Sequence, residues 1–116
     1  MSSLNKIILL GEISSDVDVK ATTNGHTVAN FLIKVMRPQR PDSVDNQFDL
    51  IRVVAWRELA EGLHATGKGS IVLIEGKIIT RSYEDQNGQR KYVTEVEANE
   101  IKPVSQTAPA EVSADI

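Results

Sequence analysis

The strongest constraint on the fold is a pair of Asn-Gly dipeptides, at positions 24–25 and 87–88, each lying between two segments with strand-like patterning. Asn-Gly readily takes the positive φ angles of a tight hairpin turn. Alternation of apolar and polar residues predicts a strand with one exposed face. It is clearest from Phe48 to Trp56, where one side would carry Phe48, Leu50, Arg52, Val54 and Trp56. The sequence therefore predicts a protein built of β-hairpins.

Five strands and one helix are predicted, in the order β-β-β-α-β-β. The strands are Leu4–Ile13, Thr27–Val35, Phe48–Trp56, Ser70–Tyr83 and Lys91–Ile101, and the helix runs from Arg57 to Ala65. We expect the first strand to bend at Gly11 and to resume through residues 16–20. This order predicts an all-β fold, a five-stranded Greek-key oligonucleotide-binding (OB) barrel with one short helix between strands 3 and 4.

The length of 116 residues leaves room for one domain. We assign residues 1–103 to the OB domain and residues 104–116, which are rich in Ala, Ser and Pro without a usable period, to a disordered tail. Residues 36–47 read as a long mobile loop. No apolar run approaches the roughly 20 residues that cross a bilayer, and Met1–Lys6 lack a secretory pattern. We therefore expect a soluble, cytoplasmic protein.

The net charge of −3 weighs against a uniformly basic nucleic-acid binder. Residues 1–103, however, hold all 13 basic groups and 14 of the 16 acidic ones, which gives −1. A nearly neutral barrel can still carry a basic groove if its charges segregate.

Enzymatic chemistry has little support in the sequence. There is no cysteine, and His26 and His64 are too far apart to indicate a metal site. The stretch Gly62–Lys68 has the G-x-x-x-x-G-K spacing of a phosphate loop, but it ends a helix and enters a strand, which is the reverse of the required context. We expect no catalysis, no metal and no cofactor.

Single-strand binding needs aromatic faces for base stacking and cations that follow the backbone. Trp56 ends strand 3 on the side of Arg52, and Tyr83 ends strand 4 on the side of Arg81 and Lys77. The alternatives are a core or interface role for Trp56 and a loop-anchoring role for Tyr83. Phe31 and Phe48 are expected in the core, with base stacking as the alternative. Arg90 is a further candidate cation. Three more, Lys34, Arg37 and Arg40, either line the groove or belong to a solvated loop in which they pair with Asp42 and Asp45.

Taken together, several segments resemble the bacterial single-stranded DNA-binding protein family in order and spacing. They are Leu4–Gly11, Asn24-Gly25 with Val28–Phe31, Arg52–Val54 with Leu59–Glu61, Lys68–Ser70 with Ile74–Gly76, Thr80-Arg81, Asp85–Gln89 and Tyr92–Val96. The resemblance implies a homotetrameric OB protein, associated with the nucleoid, that coats single-stranded DNA during replication, recombination and repair. It also implies that Trp56 and Tyr83 stack on bases and that Arg52 and Arg81 are basic contacts.

The chain departs from the family pattern at several positions. Leu50 stands where a second stacking tryptophan is typical, and Gln39 lies near a third, so we expect fewer stacked bases, lower affinity and steeper salt sensitivity. Ile51 replaces a polar residue near the usual subunit contact. Of the family's acidic tip, which recruits replication and repair enzymes, only Ala114–Ile116 remains, so we expect either a short paralogue without that recruiting function or a tail-truncated form. A second interpretation is therefore a primosome-type accessory OB protein, typically dimeric, that acts mainly through protein contacts.

Overall fold

The computed structural model describes residues 2–38, 47–63 and 66–104. Six strands and one helix form in these ranges: β1 (Ile7–Ile13), β2 (Asp18–Ala21), β3 (Thr27–Met36), β4 (Phe48–Trp56), α1 (Arg57–Gly62), β5 (Ile71–Glu84) and β6 (Arg90–Pro103). The predicted resumption of the first strand is the separate strand β2. The predicted order of elements is thereby confirmed.

The strands close into a barrel. Their order is β1-β5-β6-β4-β3-β2. An additional antiparallel pairing of β1 with β3, at Glu12 and Ile13, closes the sheet on itself. β4 and β6 pair in parallel at Val53 and Val54, while the other pairings are antiparallel. This is the five-stranded OB arrangement that the sequence predicts, with β2 added at the outer edge of β3.

Both Asn-Gly dipeptides lie in hairpin turns, but the loops are one residue longer than the tightest type. The N–H of Thr22 donates to the carbonyl of His26, and the N–H of Asp85 donates to that of Gln89. Each loop thus has three residues and ends in a glycine with positive φ, 83° at Gly25 and 80° at Gly88. A type I turn followed by a glycine in the left-handed region is the usual geometry of such loops.

The predicted bend in the long strand β5 is at Gly76, where the β5–β6 register shifts. A Cβ atom at this position would overlap the carbonyl oxygen of Glu97 and lie 3.0 Å from the Cα of Ala98. At the bend in β1, a Cβ on Gly11 would likewise overlap the carbonyl oxygen of Lys34. Both glycines therefore allow two backbones to approach closely.

The core fills the barrel, and α1 covers one end of it. Ile13, Ile33 and Ile74 are fully buried, and Ala60 and Leu63 from the helical segment join the same cluster. The helix predicted through Ala65 ends at Gly62, with Leu63 as its C-terminal cap. The Gly62–Lys68 stretch thus ends a helix before strand β5, as predicted from its context.

The β5–β6 hairpin is much longer than the barrel needs. It pairs continuously from Val72 opposite Pro103 to Glu84 opposite Arg90. Residues 80–84 and 90–92 are exposed, so this end of the hairpin extends beyond the core as a two-stranded ribbon. At the other end, the N–H of Val104, the residue after β6, donates to the carbonyl of Ile71.

Some predictions concern residues outside the described ranges. They are the predicted tail from position 105 onward, the loop residues Gln39, Arg40, Asp42 and Asp45, and His64 and Ala65. Within the described ranges, no helix is long and apolar enough to cross a membrane.

Arg57, the first residue of α1, has a φ of 56°. The left-handed region costs a residue with a Cβ about 1–2 kcal/mol, whereas glycine adopts it freely and loses about 0.4–1 kcal/mol through a more flexible unfolded chain. We expect Arg57→Gly to raise the free energy of unfolding by about 0.5–1 kcal/mol. Urea denaturation measures this, with Arg57→Ala as the matched control that keeps the Cβ and should bring no gain.

Candidate nucleic-acid interface

The outward side chains of four neighbouring strands form one continuous surface, which we call the outer face. Residues directly opposite each other in an antiparallel pair point to the same side of the sheet. On β3 and β4 the opposed pairs are Val28 with Trp56, Asn30 with Val54, Leu32 with Arg52, Lys34 with Leu50 and Met36 with Phe48. On β5 and β6 they are Lys77 with Glu97, Ile79 with Glu95, Arg81 with Val93 and Tyr83 with Lys91.

Trp56 and Tyr83 both expose a large part of their rings on the outer face, 41% and 47% respectively. Trp56 is therefore not a core residue of this chain. The Tyr83 hydroxyl makes no hydrogen bond within the described residues, so it does not anchor a loop there. Both side chains therefore present part of their ring at the surface of this chain.

Arg52 and Arg81 meet at a buried carboxylate. Glu95 is only 3% exposed, and it accepts hydrogen bonds from Nε and Nη2 of Arg81 at 3.0 and 3.2 Å. The Nε atom of Arg52 lies 3.8 Å from the same carboxylate. The hydrogen bond from Arg81 to Glu95, and then their charge attraction, raise the pKa of the Arg81 guanidinium. This cluster carries a net charge of +1 and links β4 to β5 across β6.

Two of the predicted cations lie away from the outer face. Arg37 forms a two-pronged ion pair with Asp49 at 3.0 and 2.7 Å, on the side of β4 opposite to Leu50. These hydrogen bonds are the main cause of the raised pKa of Arg37 and the lowered pKa of Asp49. Arg90 donates to the hydroxyl of Ser82 at 2.8 Å, on the far side of the hairpin from Tyr83.

The remaining predicted cations lie on the outer face. The Lys77 ammonium is 3.6 Å from Glu97. The Lys34 ammonium lies 4.6 Å from the centre of the Phe48 ring, which is a cation–π contact. The outer face therefore unites Trp56, Tyr83, Arg52, Arg81, Lys77 and Lys34, and excludes Arg37 and Arg90.

Two residues of the outer face, Phe48 and Lys91, are not among the site residues predicted from the sequence. Phe31 is buried as predicted, but Phe48 is 45% exposed and contributes to the surface. The alternation along β4 already placed Phe48 on the side of Trp56, so the signal was present. Lys91, opposite Tyr83, is an exposed cation with no ion pair among the described residues.

The surface beside Arg52 is slightly concave. A depression of about 180 Å³ is lined by Ser15, Asn30, Phe31, Leu32 and Arg52. The described part of the chain contains no group of three or more His, Cys, Asp or Glu side chains arranged to hold a metal ion. The geometry is that of an open binding surface with aromatic rings and guanidinium groups.

Comparison with known proteins also indicates a nucleic-acid interface. Residues 4–104 match the model of the single-strand binding protein family. The chain belongs to this family. Among its relatives, a single-stranded DNA-binding protein of Oceanobacillus iheyensis is 42% identical over 100 residues, covering 85% of this chain and 62% of that protein. The single-stranded DNA-binding protein A of Bacillus subtilis is 38% identical, with 85% and 58% covered.

A solved structure of a family member supports the fold. The Plasmodium falciparum SSB in complex with ssDNA superposes with a TM-score of 0.80 at 26% identity, covering 90% of this chain and 98% of that one. The OB fold predicted from the sequence is thereby confirmed. The chain spans about three fifths of the length of the curated relatives it matches.

Proposed function

We propose that this protein binds single-stranded DNA without sequence preference and coats it during replication, recombination and repair. The observation that carries this proposal is the pair of exposed rings, Trp56 and Tyr83, on one face with the arginine pair around Glu95. Every base has a π-face, so stacking tolerates any sequence. The proposed activity is binding, with no reaction catalysed.

Stacking contributes part of the proposed affinity. A base stacked on an aromatic side chain contributes about 1–3 kcal/mol. Duplex DNA keeps its bases stacked inside the helix, so Trp56 and Tyr83 discriminate against it. The proposed selectivity for single strands therefore rests on these two rings.

Phosphates are proposed to contact Arg52 and Arg81, with Lys77 and Lys34 at the sides. Each phosphate neutralised in single-stranded DNA changes the salt slope by about −0.7. Glu95 and Glu97 already neutralise part of this charge. These ion pairs weigh against the steep salt sensitivity predicted from the sequence, and we propose a moderate slope.

We further propose that the protein is a homo-oligomer, and the resemblance to the family favours a tetramer. Ile8 and Leu10 on β1 and Leu73 on β5 are exposed side by side, since Leu10 pairs directly with Leu73. Among the described residues, β1 pairs between Ile7 and Leu10 with β5 on one edge only. An apolar patch beside an unpaired strand edge favours association with another chain.

The decisive test is fluorescence anisotropy of a labelled oligo-dT strand and of its duplex counterpart, titrated with protein at about 50 and 200 mM salt. We expect binding to the single strand alone, weakened at the higher salt. Sedimentation of the same sample gives the oligomer mass. Absence of single-strand binding at low salt, particularly with a dimeric mass, would contradict the proposal and favour an accessory OB protein acting through protein contacts.

A further inference from the structure

We propose that Phe48, with Lys34 over its ring, is an additional base-stacking subsite. It lies at one end of β4, and Trp56 lies at the other end. This inference rests on the proposed single-strand binding. It assigns a role to an exposed aromatic that burial preference alone would place in the core.

Phe48 and its neighbours on the outer face are exposed. Phe48, Met36 and Leu50 are 45%, 51% and 53% exposed. Phe48 lies directly opposite Met36, and the next outward pair is Leu50 with Lys34. The outer face therefore continues past Arg52 as an apolar strip with a cation at its centre.

The β3–β4 pairing sets this orientation. Phe48 lies opposite Met36 and Leu50 opposite Lys34, and a slip by one residue would exchange the two faces of the strand. Asp49, between Phe48 and Leu50, pairs with Arg37 on the other side of β4, as this register requires.

A DNA base can replace the Lys34 ammonium on the ring of Phe48. The Lys34 ammonium occupies one face of Phe48 at 4.6 Å from its centre. Base stacking on an aromatic ring is generally worth more than an exposed cation–π contact. A base can therefore take the place of the ammonium, and the flexible Lys34 side chain then reaches the phosphate of the same nucleotide.

The position of this subsite lengthens the contact path. Phe48 and Trp56 are eight residues apart on one strand, a separation of roughly 26 Å at about 3.3 Å per residue. Arg52 lies midway between them on the same face. A DNA strand that follows β4 would meet a ring, a cation and a second ring in turn, and Phe48 would supply the π-face that Leu50 lacks.

The single tryptophan of the chain gives a direct test. In the wild type, Trp56 fluorescence reports on its own end of β4. In the double variant Trp56→Phe/Phe48→Trp, the indole is moved to the proposed subsite while an aromatic ring remains at position 56. We expect a long oligo-dT to quench the fluorescence of both proteins at saturation, as judged by anisotropy of the labelled strand.

Affinity provides the second measurement. We expect Phe48→Leu to weaken binding to a long oligo-dT by roughly five- to twentyfold, the lower part of the range for loss of a stacked base. Tyr92→Leu is the matched control, since Tyr92 is 76% exposed but lies on the far side of the hairpin beside Ser82. Its affinity should equal that of the wild type.

The outcomes separate the two proposals. If the wild type binds and its Trp56 is quenched, but the indole introduced by Phe48→Trp does not respond, the subsite is wrong and single-strand binding stands. A different result is a blue-shifted emission of that indole, measured without DNA, that depends on protein concentration. In that case a second copy of the chain covers this position, and the subsite is also wrong. If anisotropy shows no binding by the wild type, both proposals fall.

Discussion

Gly76→Ala is expected to lower the free energy of unfolding by about 3 kcal/mol, the upper end of the usual effect of overpacking a folded interior. The new methyl group would overlap the carbonyl oxygen of Glu97 and press on the Cα of Ala98. Both are backbone atoms of the paired strand, which cannot turn aside as a flexible side chain can. Because small domains have only about 5–15 kcal/mol of stability, urea denaturation should detect the change clearly.

Gly62→Ala is the matched control for this substitution. A Cβ on Gly62 would have no heavy atom within 4 Å, and the residue ends a helix, where alanine is favoured over glycine by up to about 1 kcal/mol. We expect its urea midpoint to be unchanged or higher. Equal midpoints for Gly76→Ala and the wild type would show that β5 and β6 can separate at the bulge without loss of packing.

Trp56→Ala is expected to weaken binding to oligo-dT by about 5- to 150-fold, which corresponds to the 1–3 kcal/mol of one stacked base. The slope of affinity against salt should change little, since the substitution removes no charge. Titrations at several salt concentrations measure both quantities. Trp56→Phe should recover most of the affinity, because it keeps an aromatic face.

A change in salt slope without loss of affinity would contradict the stacking role of Trp56. Circular dichroism and the urea midpoint of Trp56→Ala must match those of the wild type for the comparison to hold. We expect them to match because the side chain is 41% exposed and lies outside the core cluster.

The fold was predictable because its signals are local. Alternation along β4 and the glycines of the two hairpins are written in short windows of sequence. The same alternation correctly placed Arg52 and Trp56 on one face. It would also have placed Phe48 there, but the general preference of phenylalanine for the interior was given more weight.

The side on which Arg90 lies depends on the length of one turn. A two-residue loop at Asn87-Gly88 would pair Asp85 with Arg90 and put that arginine on the side of Tyr83. The actual loop has three residues, which pairs Glu84 with Arg90 and Tyr83 with Lys91. A shift of one residue moves every side chain of a strand to the other face, so Lys91, and not Arg90, lies on the side of Tyr83.

The ion pairs could not be predicted from pattern alone. Arg37 was expected to line a groove or to pair with nearby loop acids, but its partner Asp49 is 12 residues away on the adjacent strand. The pairing of Arg81 with Glu95 likewise depends on the β5–β6 register. Such contacts require the three-dimensional arrangement of strands, and they determine how much of the positive charge is available to a ligand.

The long β5–β6 hairpin gives one pair of strands two different stabilities. Its first part, around Val72 and Ile74, is built into the core, whereas residues 80–84 and 90–92 pair with no third strand within the described part of the chain. A two-stranded ribbon is marginal on its own, so we expect its amide hydrogens to exchange with solvent through local opening and those of the barrel only through global unfolding. Tyr83 lies in the ribbon and Trp56 at the end of barrel strand β4, so a DNA strand touching both would slow amide exchange mainly at the ribbon.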